Sequence, residues 1–169
     1  MKILALDSSG LVASVALAED DNLIAEYTVQ YKKTHSQTLL PMMEEIGRMV
    51  ELDLATVDAI AVAAGPGSFT GLRIGSATAK GLAFALEKPV VPVPTVDALA
   101  FQMYGAGDLV CPIMDARRSQ VYTGIYEFIP DRDGRLVFDM HIIREQCAVS
   151  FDEIAGDLNR LDRDVIFLG

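Results

Sequence analysis

Apolar residues occur in three short runs at the beginning of the chain, at residues 2–6, 11–18 and 23–31. Each run is rich in residues that favour strands, and clusters of Asp, Ser, Gly, Glu and Asn separate the runs, as in tight turns. This pattern predicts an antiparallel meander of three strands.

The apolar positions that follow recur every three or four residues, which predicts a helix. Thr38 is predicted to cap this helix, and Pro41 is compatible with it only in the first turn. Adjacent apolar pairs make the stripe wider than one packing face requires. The helix is therefore either wedged between sheet and loops or also in contact with another chain. The stripe consists of Leu39, Met42, Met43, Ile46 and Met49.

A continuous apolar run at residues 57–64 is typical of a strand buried on both faces. It leads into a glycine-rich loop at residues 65–71, and a second helix is predicted to extend to about residue 86. Gly71, Gly75 and Ala79 recur every four residues along this helix. Such a row of small residues lets another helix approach closely.

The rest of the chain repeats the alternation of strands and helices. Glycines at residues 105 and 107 mark the predicted boundary between an N-terminal domain, 1–104, and a C-terminal domain, 105–169. The order of elements argues for an α/β fold with a mixed sheet, and the initial meander distinguishes it from a Rossmann unit. Further strands are predicted at residues 90–93, 109–114, 121–128, 136–143 and 165–168, and helices at 95–104 and 151–161.

Composition narrows the possible functions. The formal net charge is -10, from 14 basic and 24 acidic residues, so tight binding of nucleic acid by this chain alone is not expected. The two cysteines are expected to be small core residues and not ligands of a zinc framework. Because the first apolar run is too short for a signal peptide and no apolar stretch has the length and continuity of a membrane span, a cytoplasmic protein is expected.

Two loops have residues suited to an anion or a nucleotide. The first is the glycine-rich loop between a strand and a helix, where backbone N–H groups attract anions, although its spacing matches neither a P-loop nor a dinucleotide fingerprint. The second is the turn after the first strand, whose carboxylate and hydroxyls could hold hydrated magnesium near phosphate. Each loop is also compatible with a purely structural turn. The candidate residues are Gly65, Gly67, Ser68 and Thr70 in the first loop and Asp7, Ser8 and Ser9 in the second.

Several stretches, in order from residue 1 to about residue 126, resemble the bacterial TsaB (YeaZ) family. The resemblance is weaker after residue 127, and family members are usually longer, so a truncated second lobe is expected. The matching stretches are DSS at residues 7–9, HSQTLLP at 35–41, GPGSFTGLRIG at 65–75, AKGLA at 79–83, DARR at 115–118 and VY at 121–122.

The resemblance implies an actin/Hsp70-like fold of the ASKHA, ribonuclease-H-like class, with one complete lobe and a second, truncated lobe of the same type. It also implies a role in making N6-threonylcarbamoyladenosine (t6A) at position 37 of tRNA. In that pathway TsaB-like proteins assist a catalytic paralogue, TsaD, together with the ATPase TsaE. ATP and magnesium are then used by the complex, and no cofactor is assigned to this chain.

Catalysis by this chain is not expected. In the catalytic paralogue two histidines help to hold a metal, and the corresponding positions here are Thr95 and Leu99, which cannot replace imidazole ligands. The resemblance places the partner interface on the first two helices, and a homodimer through the same surface is expected when the partner is absent. The predicted interface residues are Leu39, Met42, Met43, Ile46, Met49, Gly71, Leu72, Gly75 and Ala79.

One alternative function remains from the residues themselves. The chain could be an actin-like nucleotide-binding enzyme, a small kinase or ATPase, that uses Asp7 and the loop at residues 65–71.

The turn containing Asp115, Arg117 and Arg118 is a further candidate functional element, which could contact tRNA phosphate or a partner, or be solvated. Because two arginines do not offset a charge of -10, tRNA contact is expected only through the complex.

Overall fold

The computed structural model describes residues 1–31, 35–131 and 137–169. The chain forms two compact units, Met1–Thr95 and Val96–Gly169. No helix in the described ranges is both long enough and apolar enough to cross a membrane.

The first unit is built on a five-stranded mixed sheet with the order β3-β2-β1-β4-β5. The predicted meander is confirmed, since β1 pairs antiparallel with β2 and β2 pairs antiparallel with β3. The next two strands are added in parallel, β4 beside β1 and β5 beside β4. The strands are β1 (Lys2–Asp7), β2 (Ala13–Glu19), β3 (Asn22–Val29), β4 (Ala59–Gly65) and β5 (Val90–Pro94).

Helices α1 (His35–Met49) and α2 (Phe69–Leu86) pack against this sheet and against each other, and a short 3-10 helix, Leu54–Thr56, precedes β4. Alternate residues of β1 and β2 point into the same core, as the period of a strand requires. The buried core of this unit contains Leu4, Leu6, Ala13, Val15, Leu17, Leu39, Met42, Ile46, Val57, Ile60, Val62, Ala79 and Ala83.

The start of α1 differs from the prediction. The helix begins at His35, so Thr38 lies inside it and its hydroxyl donates to the His35 carbonyl over 3.3 Å. Pro41 therefore lies in the helix interior and not in the first turn. Because proline has no N–H, one backbone bond of the helix is missing there. Burial of Leu39 and Ile46 stabilises α1 despite this loss.

The second unit contains a four-stranded sheet with the order β8-β7-β6-β9. Strands β6, β7 and β8 form an antiparallel meander, and β9 is parallel to β6. Its helices are α3 (Thr95–Phe101), which starts at the last residue of the first unit, and α4 (Phe151–Leu161). The strands are β6 (Leu109–Arg117), β7 (Gln120–Pro130), β8 (Phe138–Val149) and β9 (Val165–Leu168).

The division after Thr95 lies earlier than the predicted boundary between residues 104 and 105. Val96 and Ala100 of α3 are buried against Tyr126 and Phe128 of β7, which is why α3 belongs to the second unit. The Tyr126 hydroxyl donates to Asp97 over 2.7 Å. Burial, and then this carboxylate, raise the pKa of Tyr126 well above its usual range.

The other strands and the helices predicted for the second unit are present, with different bounds for some of them. Strand β8 continues to Val149, well beyond the predicted end at residue 143, and the predicted start at Leu136 lies outside the described residues. Cys111 is fully buried, as expected, and Cys147 is half-buried; both are free thiols. Burial raises the pKa of the Cys111 thiol.

Candidate functional site

The turn after β1 and the glycine-rich loop before α2, which the sequence singled out separately, contact each other in the first unit. Ser8 and Ser9 are buried although they are polar. The Ser8 hydroxyl donates to the Gly71 carbonyl over 2.8 Å, and the Ser68 N–H donates to the Ser9 carbonyl over 2.6 Å. These contacts bring the predicted anion-binding residues of the two loops together.

Glycines make this close approach possible. A Cβ atom at Gly71 would overlap the backbone carbonyl oxygen of Ser8, and one at Gly75 would overlap the Ser8 hydroxyl. A Cβ atom at Gly67 would likewise overlap the Ser9 carbonyl oxygen. The row of small residues on α2 therefore accommodates the β1–β2 turn of the same chain.

The polar groups of both loops are largely used inside the unit. Ser68 is the N-cap of α2, and its hydroxyl accepts the Gly71 N–H over 3.3 Å. The Asp7 carboxylate is exposed and accepts the Ser9 N–H over 2.7 Å. Thr70 is exposed at the start of the helix, and Gly65 has a left-handed φ of 102° at the end of β4. The arrangement is a packed junction in which the Ser8 hydroxyl and the Ser68 N–H donate to backbone carbonyls of the same unit, so these two donors are not available to a phosphate.

His35, the first residue of the HSQTLLP stretch, contributes to the same region. The Nε2 atom of His35, at the start of α1, lies 2.9 Å from the Gly10 carbonyl oxygen in the β1–β2 turn. The turn is therefore held by both helices. The position of His35 just before the periodic pattern was the available signal, but its partner is 25 residues away and could not be identified.

Most of the predicted interface residues lie in the interior of the first unit. Their packing partners belong to this chain, so these residues have a role in packing this unit, and a partner interface on them stays a prediction. The buried positions are Leu39, Met42, Ile46, Gly71, Gly75 and Ala79. Met43 and Leu72 are half-buried, and Met49 is 69% exposed.

A different face of α2 is exposed. It consists of residues spaced by three or four positions, which places them on one side of a helix. We call this face the α2 outer stripe: Phe69, Arg73, Ala77, Lys80 and Phe84. Phe84 is 88% exposed, and the Arg73 guanidinium lies 5.3 Å from the centre of the Phe69 ring. The spacing of these residues could be seen in the sequence. The predicted interface was instead placed on the row of small residues, which the structure buries.

The third candidate, the turn between β6 and β7, lies in the second unit. Asp115, Arg117 and Arg118 are all exposed. The Asp115 carboxylate accepts the Arg117 N–H over 2.7 Å, and both arginines have positive φ angles. The two guanidinium groups are therefore presented on a backbone-constrained turn.

Metal binding has no geometric support in the part of the chain that the structure describes. No three His, Cys, Asp or Glu side chains there are grouped so that they could hold a metal ion. Thr95 and Leu99 both lie on α3, and the buried Thr95 hydroxyl has no hydrogen-bond partner among the described residues.

Comparisons with known proteins point to one pathway. Residues 22–155 match the family model of TsaD, described as tRNA N6-adenosine threonylcarbamoyltransferase. The chain is 35% identical to the tRNA threonylcarbamoyladenosine biosynthesis protein TsaB of Bacillus subtilis, over 100% of this chain and 71% of that protein. It is 41% identical to TsaB of Haemophilus influenzae over 72% of this chain, and 37% identical to TsaB of Escherichia coli over 75% of this chain. These two alignments span about half of the relatives, 52% and 55%.

Solved structures show the same similarity. YeaZ from Pseudomonas aeruginosa superposes with a TM-score of 0.75 and 34% identity, covering 88% of this chain and 67% of that structure. A second Pseudomonas aeruginosa structure, an uncharacterized protein with similarity to peptidase YeaZ, gives a TM-score of 0.80 and 29% identity over 99% and 83%. These matches confirm the predicted α/β fold of the actin/Hsp70-like class.

Proposed function

The chain belongs to the TsaB (YeaZ) family, and from this premise we propose that it is a non-catalytic, cytoplasmic partner subunit in the synthesis of threonylcarbamoyladenosine in tRNA. A TsaD-type paralogue carries out the transfer of the threonylcarbamoyl group, and a TsaE-type ATPase supplies the ATP- and magnesium-dependent step. The role of this chain is to bind the paralogue and to support its active conformation.

The observation that carries this proposal is the α2 outer stripe. Two exposed phenylalanines, Phe69 and Phe84, lie at its ends, and burying such rings against a partner is favourable. The stripe also contains Arg73 and Lys80, and α2 has no acidic residue although the chain as a whole is acidic. A partner surface with apolar residues and carboxylates is complementary to this face.

The absence of a catalytic role is supported by the residues of α3. Leucine at position 99 has no lone pair with which to bind a metal, and Thr95 is a poor substitute for an imidazole. A chain that keeps the fold of a transferase but lacks these ligands is suited to be its partner.

The proposal is tested by capturing the TsaD-type protein of the same organism on variants of this chain. Phe84→Glu and Ala77→Glu each place a carboxylate on the exposed stripe, and we expect capture to fall at least about tenfold. Leu23→Glu is the matched control, because Leu23 is exposed on β3 and the change in charge is the same. Thermal unfolding verifies that all three variants fold. Full capture by both α2 variants would refute the proposed face.

Two further properties follow from the same proposal. The isolated chain is expected to dimerise through the α2 outer stripe, so Phe84→Glu should shift its sedimentation towards the monomer.

Contact with tRNA is left to the complex, because the charge of -10 opposes binding of a polyanion by this chain alone. A gel shift with the isolated chain at physiological salt is therefore expected to be negative.

A further inference from the structure

The hairpin between β6 and β7 turns through Arg117, Arg118 and Ser119, which we call the arginine turn. Their φ angles are 63°, 51° and 59°, all in the left-handed region. Each non-glycine residue in that region costs about 1–2 kcal/mol, and tight hairpin turns usually contain Asn or Gly for this reason. Keeping long cationic side chains at such positions points to a use for those side chains.

The backbone of the arginine turn is held in place from within the hairpin. Arg117 pairs with Gln120 across the turn, and the register shifts between Asp115 and Arg117. The Asp115 carboxylate accepts the Arg117 N–H over 2.7 Å, and this bond fixes the start of the turn. The backbone of the turn is therefore fixed by these bonds, and its side chains extend from that fixed backbone.

Among the described residues, the guanidinium groups of Arg117 and Arg118 lack the partners that the other described arginines have. Arg48, Arg144, Arg160 and Arg163 each pair with a carboxylate, and Arg73 lies over a phenylalanine ring. Within residues 1–31, 35–131 and 137–169, neither Arg117 nor Arg118 forms an ion pair, although the chain contains 24 acidic residues. Neither guanidinium group of this turn is therefore held in an ion pair by the described residues.

Backbone donors add to this charge. The N–H groups of Arg118 and Ser119 lie outside the strand ladder and have no acceptor among the described residues. The Ser119 side chain is exposed as well. Guanidinium groups, consecutive free N–H groups and a hydroxyl together form a set of donors suited to phosphate oxygens.

We propose that the arginine turn contacts phosphodiester groups of RNA. That this RNA is the tRNA held by the assembled complex rests on the proposed function. Residues 117–120 are all exposed at the end of a hairpin, a convex shape that suits an extended polyanion, whereas free nucleotides bind in concave clefts. Two arginine contacts give only weak affinity, which agrees with a strongly acidic chain that needs a partner to hold tRNA.

The test is a titration of the isotope-labelled chain with an RNA stem-loop at roughly 50 mM salt, followed by NMR. We expect the amide signals of Arg118 and Ser119 to shift, and the affinity to fall about tenfold in R117Q/R118Q. With two phosphates neutralised, log K against log salt should have a slope between about -1.4 and -1.8. The matched control is R48Q/R160Q, which removes two exposed arginines that are paired with carboxylates and gives the same net charge.

Several results would overturn the proposal. An equal loss of affinity in R48Q/R160Q would mean that only overall charge matters. Stronger shifts of the same amides with tripolyphosphate than with RNA would indicate a nucleotide site, and equal competition by polyglutamate would indicate an acidic protein partner. R117Q/R118Q should still capture the TsaD-type protein, because the turn and the α2 outer stripe lie in different units, so failure of the RNA contact is distinguishable from failure of the partner role.

Discussion

The hydroxyl of Ser8 donates to the carbonyl of Gly71 over 2.8 Å, although the two residues are 63 positions apart. This bond connects the turn after the first strand to the first turn of α2. The two loops that a nucleotide site would use are therefore packed against each other in this unit. Several predictions about stability and ligand binding depend on this contact.

Gly71→Ala should destabilise the first unit. The new Cβ atom would overlap the Ser8 carbonyl oxygen, a backbone atom that can move only if the β1–β2 turn moves. We expect a loss of about 2–3 kcal/mol, measured by denaturant unfolding. Gly81→Ala is the matched control on the same helix, because Gly81 is exposed and nothing lies within 4 Å of its added Cβ. That control should gain about 1 kcal/mol from helix propensity, and equal effects of the two substitutions would contradict the packing described above.

A double-mutant cycle separates side-chain from backbone contact. The Cβ atom of Gly75→Ala would meet the Ser8 hydroxyl, whereas that of Gly71→Ala would meet the Ser8 backbone. Ser8→Ala should therefore relieve Gly75→Ala, with a coupling of about 1 kcal/mol or more in unfolding free energy, and leave Gly71→Ala unrelieved. Relief of neither glycine variant would contradict the contact between Gly75 and the Ser8 hydroxyl, and relief of both would contradict the backbone contact at Gly71.

We expect calorimetry to detect no micromolar binding of Mg-ATP to the isolated chain. The Ser8 hydroxyl donates to the Gly71 carbonyl and the Ser68 N–H donates to the Ser9 carbonyl, so these two donors are not free to hold a phosphate. A TsaE-type ATPase serves as the positive control. Micromolar binding by this chain would favour the alternative of an actin-like nucleotide-binding enzyme.

Glu127 links stability to pH. The Arg163 guanidinium, and then the His141 ring, hold the pKa of Glu127 below its ordinary value of 4.5. Because the folded state favours the carboxylate, its contribution is present above about pH 4.5 and is lost as the pH falls through the lower folded pKa. Glu127→Gln should therefore be less stable than the wild type at pH 7, with a difference that shrinks under acid. Glu44→Gln, at an exposed position of α1, is the control for the loss of one carboxylate, and an equal loss of stability there would contradict the role given to Arg163 and His141.

Ser119→Gly should stabilise the second unit. Ser119 has a φ of 59°, and glycine adopts this conformation without the steric cost that a Cβ atom brings. We expect a gain of about 1 kcal/mol in thermal unfolding. Ser119→Ala keeps the Cβ atom and serves as the control; if alanine stabilised the protein as much as glycine, the left-handed conformation would not be the cause.

The order and type of most elements could be predicted from the sequence, because apolar periods are local. Helix α4 was predicted at its observed bounds, Phe151–Leu161, and Ser150 caps it with a hydroxyl that accepts the Glu153 N–H. The start of α1 was not predicted, since Pro41 suggested a later beginning and burial of the helix outweighed the missing bond.

The candidate interface was harder to predict than the fold. Met42 and Phe84 are both apolar residues on helices, yet Met42 is buried and Phe84 is 88% exposed. A single sequence shows which residues share a helix face, but not whether this chain or another covers that face. The glycines of α2 fitted a helix–helix contact by spacing alone, and the structure shows the β1–β2 turn in that position.

The sequence by itself determined the α/β class, the family and the residues of both loops, because these depend on local periods and on a long specific motif. Only the tertiary structure decided which groups are available for binding. Ser8 and Gly71 are far apart along the chain, and their contact uses polar atoms that the sequence presented as free. Conversely, Arg117 and Arg118 remain without ion-pair partners within the described residues, although the chain is rich in acids and Asp115 lies in the same turn. Burial and pairing are properties of the folded arrangement, and neither can be read from the order of residues.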